Sequence, residues 1–396
     1  MNHAFLDLVD VQKASKTLYC GGFDIHPQKD LAQNTWAANM AIYGFRNGGQ
    51  IAAGTESYGF YERVVSLEGL IGAERSKYAG LLAAIEDYLF YVLELSVLKC
   101  NLGVFKPQFG LYIQFGPAGM FLLQRLRRKI ETLSEDVGRR LIAIIDAKPG
   151  DVSLTQGGYF LGYLGNLLKS WGINHSPFNF DVTNPSPWMG EDAMCLEDVG
   201  KDGTKKSMIG LNLLREGKGL VYVNKTSNPS GKQYQDLLVK TEGNVEMALY
   251  LKNAMDARDL SEKHGLEEGG VSHLGLVVGA TNFCDGSIRK MFPTHTSVNP
   301  GFGAQSKEKL AKDPLIPYKK VILELRRDDD KKLNGTGGIW SSSRNNLFPW
   351  KTEYGGSGDV NNLEADLDRA IGEHRALEEE AFNLPQVIDA GIRYPF

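Results

Sequence analysis

The chain has 396 residues, of which 42% are hydrophobic and 23% charged, and its net charge is -4. This length suits one elaborated barrel or two domains of ordinary globular composition. Nucleic-acid binding is disfavoured because no basic excess would neutralise phosphates. No apolar run is long enough for a membrane span, the N-terminal residues are too acidic for a signal peptide, and the four cysteines are scattered. We therefore predict a cytoplasmic protein with no membrane contact.

Short apolar runs recur along the chain, and each of them ends in polar or glycine-rich residues. We predict strands at 17–24, 102–106, 141–148, 178–184, 219–227, 274–281, 297–301 and 338–344. Helical periodicity lies between most of these runs, for instance at 121–132, 160–171 and 245–263. Eight strands alternating with helices predict an α/β fold, a (β/α)8 TIM barrel with helical insertions.

The spacing of the predicted strands is uneven, which indicates insertions rather than a second domain. No stretch has the composition of a linker, so we predict one barrel domain over residues 1–396. A helical insertion is predicted at about 28–100, between the first two strands. A charged loop insertion is predicted at about 307–335, with its run 326–332 in solvent. An acidic C-terminal helix is predicted within about 361–396.

The third predicted strand ends in alternating charges at Asp146, Lys148 and Asp151. Buried strands rarely end this way unless the charges meet a ligand, because desolvating charged groups is costly. Asp146 and Lys148 are two residues apart and point to the same side of a strand. At the carboxyl end of a barrel strand, that side is the mouth where active sites lie. Asp24 and Lys106 end the first and second strands in the same manner.

Other strand ends carry groups that suit a phosphate. Glycine-rich residues 300–305 follow the seventh strand, and Arg344 ends the eighth. This is the position of the phosphate site typical of the fold, and an arginine would add a bidentate fork. We therefore predict that one side of the mouth holds lysines with acidic partners and that the other side holds a phosphate-binding site.

Five motifs in chain order resemble those of the orotidine 5'-phosphate decarboxylase family, in its branch with long insertions. They are Asp146-Ala-Lys-Pro-Gly-Asp151, Thr226-Ser-Asn-Pro, Val277-Val-Gly-Ala-Thr281, Pro300-Gly-Phe-Gly-Ala-Gln305 and Ser343-Arg344. The resemblance runs from about residue 19 to 347. It implies decarboxylation of orotidine 5'-monophosphate to UMP in pyrimidine biosynthesis, with no metal and no organic cofactor.

The resemblance also assigns catalytic roles. Lys106, Asp146, Lys148 and Asp151 match the family's alternating Lys-Asp-Lys-Asp network, in which Lys148 is the proton donor to C6. Asp151 and Thr155 match residues that reach into the neighbouring subunit's site. A homodimer with shared active sites is therefore expected.

The same resemblance implies how the substrate is held. Asp24 matches the ribose-binding aspartate, and Ser227 matches the residue that reads the pyrimidine amide. The residues expected on the phosphate side come from the last two motifs and are Pro300, Gln305, Ser343 and Arg344.

Two alternatives remain open at this point. A magnesium-dependent barrel enzyme acting on a sugar phosphate is disfavoured, because such relatives carry a metal-binding glutamate where this chain has Lys106. A non-catalytic binder of phosphoribosyl ligands is the other alternative, and it stays open because Ser306 and Ser343 stand where the family usually has glycine.

Overall fold

Eight parallel strands close into a barrel in the order β1-β8-β7-β6-β5-β4-β3-β2. The computed structural model describes residues 3–25, 55–197, 203, 207–281, 284–302, 313–326 and 333–396. The barrel strands are β1 (Tyr19–Gly22), β2 (Val104–Lys106), β3 (Ile142–Ile145), β4 (Val182–Thr183), β5 (Gly219–Lys225), β6 (Leu274–Val278), β7 (Thr296–Pro300) and β8 (Gly338–Ser342). The predicted (β/α)8 fold is confirmed, and each strand overlaps the run that predicts it.

The described helices surround this barrel or extend from it. They are α1 (Ala4–Ser15), α2 (Glu56–Leu67), α3 (Gly72–Leu98), α4 (Phe109–Ile113), α5 (Gly116–Asp136), α6 (Ser153–Tyr163), α7 (Ile209–Arg215), α8 (Lys232–Gln235), α9 (Leu249–Lys263), α10 (Ser287–Met291), α11 (Ile316–Val321), α12 (Arg344–Leu347), α13 (Leu363–Phe382) and α14 (Pro385–Asp389). Two small hairpins pair Leu238–Lys240 with Glu246–Ala248 and Glu267–Glu268 with Val271–Ser272. Within the described residues, no helix has the length and hydropathy to cross a membrane.

Alternation along the strands separates the barrel interior from the layer beneath the helices. Ile142 and Ile144 belong to the interior cluster, whereas Ala143 and Ile145 belong to the outer core. Successive side chains of a strand point to opposite faces, so the inward series of β3 continues to position 146. The same alternation carries each strand's inward face from apolar residues up to the polar mouth.

Helix α1 closes the amino-terminal end of the barrel, which the sequence did not predict. Phe5 and Leu8 are fully or almost fully buried in the interior cluster. Gln12 donates to the carbonyl of Gly338 at 2.8 Å, at the start of β8. His3 caps the helix by accepting from the amides of residues 5 and 6. The helix thus supplies the floor of the barrel beneath the site.

The insertion after β1 packs as helices on the barrel's own helical layer. Helices α2 and α3 lie against each other and against α5. Glu86 of α3 is fully buried and accepts from Arg125 of α5 at 2.7 Å. Residues 28–54 of the predicted insertion lie outside the described residues.

The second predicted insertion is described at 313–326 and 333–335, and its residues 307–312 and 327–332 lie outside the described residues. The first of these parts contains α11 and places Tyr318 and Leu325 in the core. The prediction that Arg326 lies in solvent is wrong. Its side chain is fully buried and donates to the carbonyls of Thr294 and His295, each at 3.0 Å. Backbone carbonyls distant in sequence satisfy this guanidinium, so no local pattern reveals its burial.

The acidic C-terminal helix α13 docks one carboxyl group against the start of β1. Glu378 is 1% exposed and accepts from the Thr17 hydroxyl at 2.7 Å and from the Leu18 amide at 2.9 Å. Burial raises the pKa of Glu378 from 4.5 to about 8, although these donors oppose the shift. The folded protein therefore favours the neutral acid at this position.

Glu378→Gln is expected to remove a pH-dependent part of the stability. The folded pKa is raised, so the stabilising contribution is complete below the unfolded pKa and is lost as pH rises through about 8. The free energy of unfolding of Glu378→Gln relative to wild type should increase by about 1.4 kcal/mol per pH unit across that window. Urea unfolding at several pH values measures it, with the exposed Glu379→Gln as the matched control. If the free energy of unfolding varies with pH in the same way in wild type and Glu378→Gln, the raised pKa of Glu378 is contradicted.

Candidate active site

The polar mouth is built where the inward face of each strand passes beyond its last apolar residue. The interior cluster contains Val104 of β2, Ile144 of β3 and Val182 of β4. Two residues further along each strand are Lys106, Asp146 and Asn184. The period of two therefore brings an ammonium, a carboxylate and an amide to one level on three neighbouring strands.

Asp146 is the centre of this group, and both of its carboxylate oxygens have partners. Lys106 donates to Oδ2 at 3.0 Å. Lys148 and Asn184 both donate to Oδ1, the amide at 2.7 Å. The backbone is fixed as well, because the Asp146 amide donates to the carbonyl of Pro107 and its own carbonyl accepts from Phe109, each at 3.0 Å.

In this cluster, the effect of charge pairing on the pKa values is larger than the effect of burial. Burial raises the pKa of Asp146, but the ammonium groups of Lys106 and Lys148 hold that pKa well below its usual range. Burial lowers the pKa of Lys106, but the carboxylates of Asp146 and Asp24 raise it overall. Lys106 is only 4% exposed, whereas the Lys148 side chain is 41% exposed. The site thus keeps one cation buried and presents a second at the opening.

A cavity of about 650 Å³ opens at this end of the barrel, within the size range of small-molecule sites. Its lining includes the central cluster and residues of the other strand ends, namely Asp24, Lys106, Gln108, Asp146, Lys148, Asn184, Thr226, Ser227, Pro300, Gly301, Ser341, Ser342, Ser343 and Arg344. Strand β7, which carries Pro300, lies four strands from β3 around the barrel. The charged cluster therefore faces Pro300 and Gly301 across the mouth. Among the described residues, no three His, Cys, Asp or Glu side chains form a metal-binding group.

Asp24 is held by the residue that follows the last strand of the barrel. The Ser343 hydroxyl donates to Asp24 Oδ2, and Asp24 is 8% exposed. Gly22 makes this approach possible, because a Cβ at that position would collide with the Ser343 side chain and its Cα. Ser343 therefore orients a carboxylate, in addition to lining the cavity beside Arg344.

The turn after β5 is fixed on both sides. Gln235 accepts from the Thr226 amide at 2.9 Å and donates to its hydroxyl at 2.8 Å. Thr281 donates to the carbonyl of Ser227 at 2.5 Å. A Cβ on Gly279 would lie 2.6 Å from the Ser227 amide nitrogen, so only glycine permits this close approach. Ser227 is consequently presented to the cavity on a rigid turn.

Comparison with known proteins decides the family. No family model matches the chain. The orotidine 5'-phosphate decarboxylase of Rhodopirellula baltica is 30% identical over 251 residues, which cover 63% of this chain and 68% of that protein. The chain belongs to the orotidine 5'-phosphate decarboxylase family. A decarboxylase of the same name from Caldicellulosiruptor bescii is 28% identical over 237 residues, covering 59% of this chain and 68% of the relative.

Solved structures support the fold over nearly the whole chain. The orotidine 5'-monophosphate decarboxylase of Plasmodium berghei superposes with a TM-score of 0.59 at 14% identity, covering 96% of this chain and 98% of that one. The OMP decarboxylase of Leishmania donovani gives a TM-score of 0.52 at 19% identity, covering 95% and 98%. The sequence relatives confirm the predicted family and its class of enzyme, and the solved structures confirm the barrel fold.

The structure brings together most of the residues predicted for an orotidine 5'-phosphate decarboxylase site. Those that line the common cavity are Lys106, Asp146, Lys148, Asp24, Ser227, Pro300, Ser343 and Arg344. Asp151 and Thr155 are not among the residues that line the cavity of their own chain. Gln305 lies outside the described residues. The roles of all these residues remain predictions.

Asn184 lines the cavity, although the sequence predicts no role for it. It is 4% exposed and contacts Asp146 directly. Its signal in the sequence is positional, because it stands two residues beyond the inward-facing Val182. Gln108 also lines the cavity, and its side chain caps α4 by accepting from the Gly110 amide at 2.9 Å.

Proposed function

We propose that this chain decarboxylates orotidine 5'-monophosphate to UMP without a metal ion, with Lys148 as the proton donor to C6. The observation that carries the proposal is the Asp146 carboxylate between two lysines, with Pro300 and Gly301 across the cavity. The family relatives carry the name of this reaction. The proposal assigns the chain to pyrimidine biosynthesis in the cytoplasm, where its four unbridged cysteines would remain reduced.

The chemistry requires fixed positive charge beside C6. When the bond between C6 and the carboxylate breaks, CO₂ leaves and the electron pair stays in an sp² orbital with no adjacent carbonyl to accept it. The ammonium of Lys148 stabilises this carbanion and then transfers its proton to C6. The amine left on Lys148 regains a proton from water. Pairing with Asp146 stabilises the cationic form needed before the reaction.

The remaining contacts would hold the substrate away from the reacting carbon. Asp24 would bind the ribose hydroxyls, and Ser227 the pyrimidine amide. Arg344, beside Pro300 and Ser343, would bind the phosphate with Gln305. Binding energy from the phosphate can then hold the orotate ring against the charged cluster.

The metal-free reading rests on the occupancy of Asp146. Both carboxylate oxygens accept from ammonium or amide donors, and the two ammonium groups beside them would repel a divalent cation. A magnesium enzyme would need oxygen ligands at this level, whereas the neighbouring strand contributes Lys106. The lysines take the electrostatic role that a metal ion would otherwise have.

The proposal also includes a homodimer in which Asp151 and Thr155 complete the partner's site. Neither residue lines the cavity of its own chain. Exposed apolar side chains adjoin them in sequence, with Val152 54%, Leu154 67% and Tyr159 42% exposed. A second copy covering this face would bury these side chains. The whole chain is proposed as one barrel domain, with its insertions packed on the outside.

A direct assay tests the proposed reaction. Purified protein is mixed with orotidine 5'-monophosphate with and without EDTA, and the loss of substrate absorbance is followed. We expect turnover that EDTA leaves unchanged. Loss of activity in EDTA would favour the magnesium alternative. Binding of UMP without turnover by folded protein would favour the non-catalytic binder and overturn the proposal.

A further inference from the structure

Asn184 joins three parts of the charged cluster through one side chain. Its Oδ1 accepts from the Ala147 amide at 2.9 Å and from the Lys148 amide at 3.0 Å. Its Nδ2 donates to Asp146 Oδ1 at 2.7 Å. Asn184 therefore contacts the carboxylate and the backbone that presents the second lysine.

The backbone at Lys148 needs such support. Its φ is +48°, in the left-handed region that non-glycine residues seldom adopt. A residue held there costs free energy and persists only where its surroundings fix it. Asn184 accepts from the amide of Lys148 itself and from the amide of the preceding residue, Ala147. No regular ladder supports them, because β3 ends at Ile145.

The amide group is the side chain that fits both contacts at once. An acceptor oxygen meets two N–H donors, while a donor nitrogen meets an ionised carboxylate. An aspartate would keep the acceptor but set a second carboxylate against Asp146. An alanine would lose both functions.

We propose that Asn184 is a positioning residue that fixes Asp146 and the left-handed turn of Lys148 in the productive arrangement. Asn184 would thus affect the reaction only through Asp146 and Lys148. The inference rests on the proposed decarboxylation, and it gives a role to the residue that directly follows β4, the strand next to β3.

The test compares Asn184→Asp and Asn184→Ala with wild type, using kcat and KM for orotidine 5'-monophosphate across pH. We expect kcat to fall about a hundredfold in both variants, the usual consequence of misplacing a reacting group by about 1 Å. KM should change by less than about threefold, because the phosphate contacts lie across the cavity. UMP binding by calorimetry should likewise be retained.

The pH profile separates positioning from a general loss of structure. The groups facing Asp146 are Lys106, Lys148 and Asn184, so Asn184→Asp adds a like charge to a carboxylate otherwise faced by donors. The acid limb of kcat should move towards neutral pH in Asn184→Asp, and less in Asn184→Ala. The control is Asn212→Asp on α7, which makes the same charge change at an exposed position.

The outcomes are distinguishable. Absence of turnover in wild type would count against the proposed function itself. Turnover in wild type, with unchanged kcat and an unshifted acid limb in folded Asn184 variants, would overturn the positioning role. Equal loss in kcat and UMP affinity would also overturn it, because it would indicate a structural role. If thermal melting shows that Asn184→Asp is unfolded, the split between kcat and KM in Asn184→Ser decides the question.

Discussion

Lys148→Ala is expected to lower kcat about ten-thousandfold while UMP binding is retained. The substitution removes both the cation that stabilises the carbanion and the proton that quenches it, and each effect contributes large factors to catalysis. The fold should survive, because Asp146 keeps Lys106 at 3.0 Å and Asn184 at 2.7 Å. Steady-state kinetics and calorimetric titration with UMP measure the two quantities.

Lys148→Arg separates charge from proton transfer in the same experiment. A guanidinium keeps the positive charge but does not release a proton at neutral pH. We therefore expect Lys148→Arg to stay nearly inactive. The exposed Lys169→Ala serves as the control for loss of a lysine and should behave as wild type. Turnover by Lys148→Ala within about tenfold of wild type would rule out the proton-donor role.

The barrel strands could be predicted because their signal is local. Runs such as Ile142–Ile145 combine β-branched residues with complete burial, and the polar residues after them mark where each strand ends. Their lengths could not be predicted equally well. The run 178–184 yields only Val182–Thr183, because ladder pairing with β3 and β5 is confined to those residues.

Elements that depend on distant contacts were missed or misread. Helix α1 is stabilised by burial of Phe5 in a barrel whose strands are many residues away. Arg326 belongs to a charged run, and yet its side chain is buried in the core, where it donates to the carbonyl of His295. Tertiary partners decide both cases, so local composition has no means of indicating them.

In the site, the charged residues could be predicted from the sequence, whereas residues that matter through their contacts could not. Lys106, Asp146 and Lys148 could be predicted because charges at the end of a buried strand require a reason. Asn184 carries no charge, and its importance follows from the atoms it touches. Ser343 was predicted on the phosphate side, and its observed partner is Asp24. Residue type thus predicts which side chains reach the cavity better than it predicts their partners.

Mixing two inactive variants is expected to restore activity if the active sites are shared between subunits. Lys148→Ala lacks the proton donor of its own site, and Asp151→Ala lacks the carboxylate proposed to reach the partner's site. In a mixed dimer, the Asp151→Ala subunit supplies Lys148, and the Lys148→Ala subunit supplies Asp151. One complete site therefore forms in each mixed dimer, while the other site lacks both groups.

The expected recovery can be calculated from the symmetry of a dimer. At equal concentrations and full exchange, about half of the dimers are mixed and half of their sites are complete, so activity should approach about a quarter of wild type. Native mass spectrometry of differently tagged subunits confirms exchange, and each variant mixed with itself gives the background.

Mixed dimers without activity would contradict a shared site. Since Asp151 does not line its own cavity, an inactive Asp151→Ala without complementation would point to a role in shaping the loop after β3. Recovery would instead show that the charge network of this barrel is completed only between two chains.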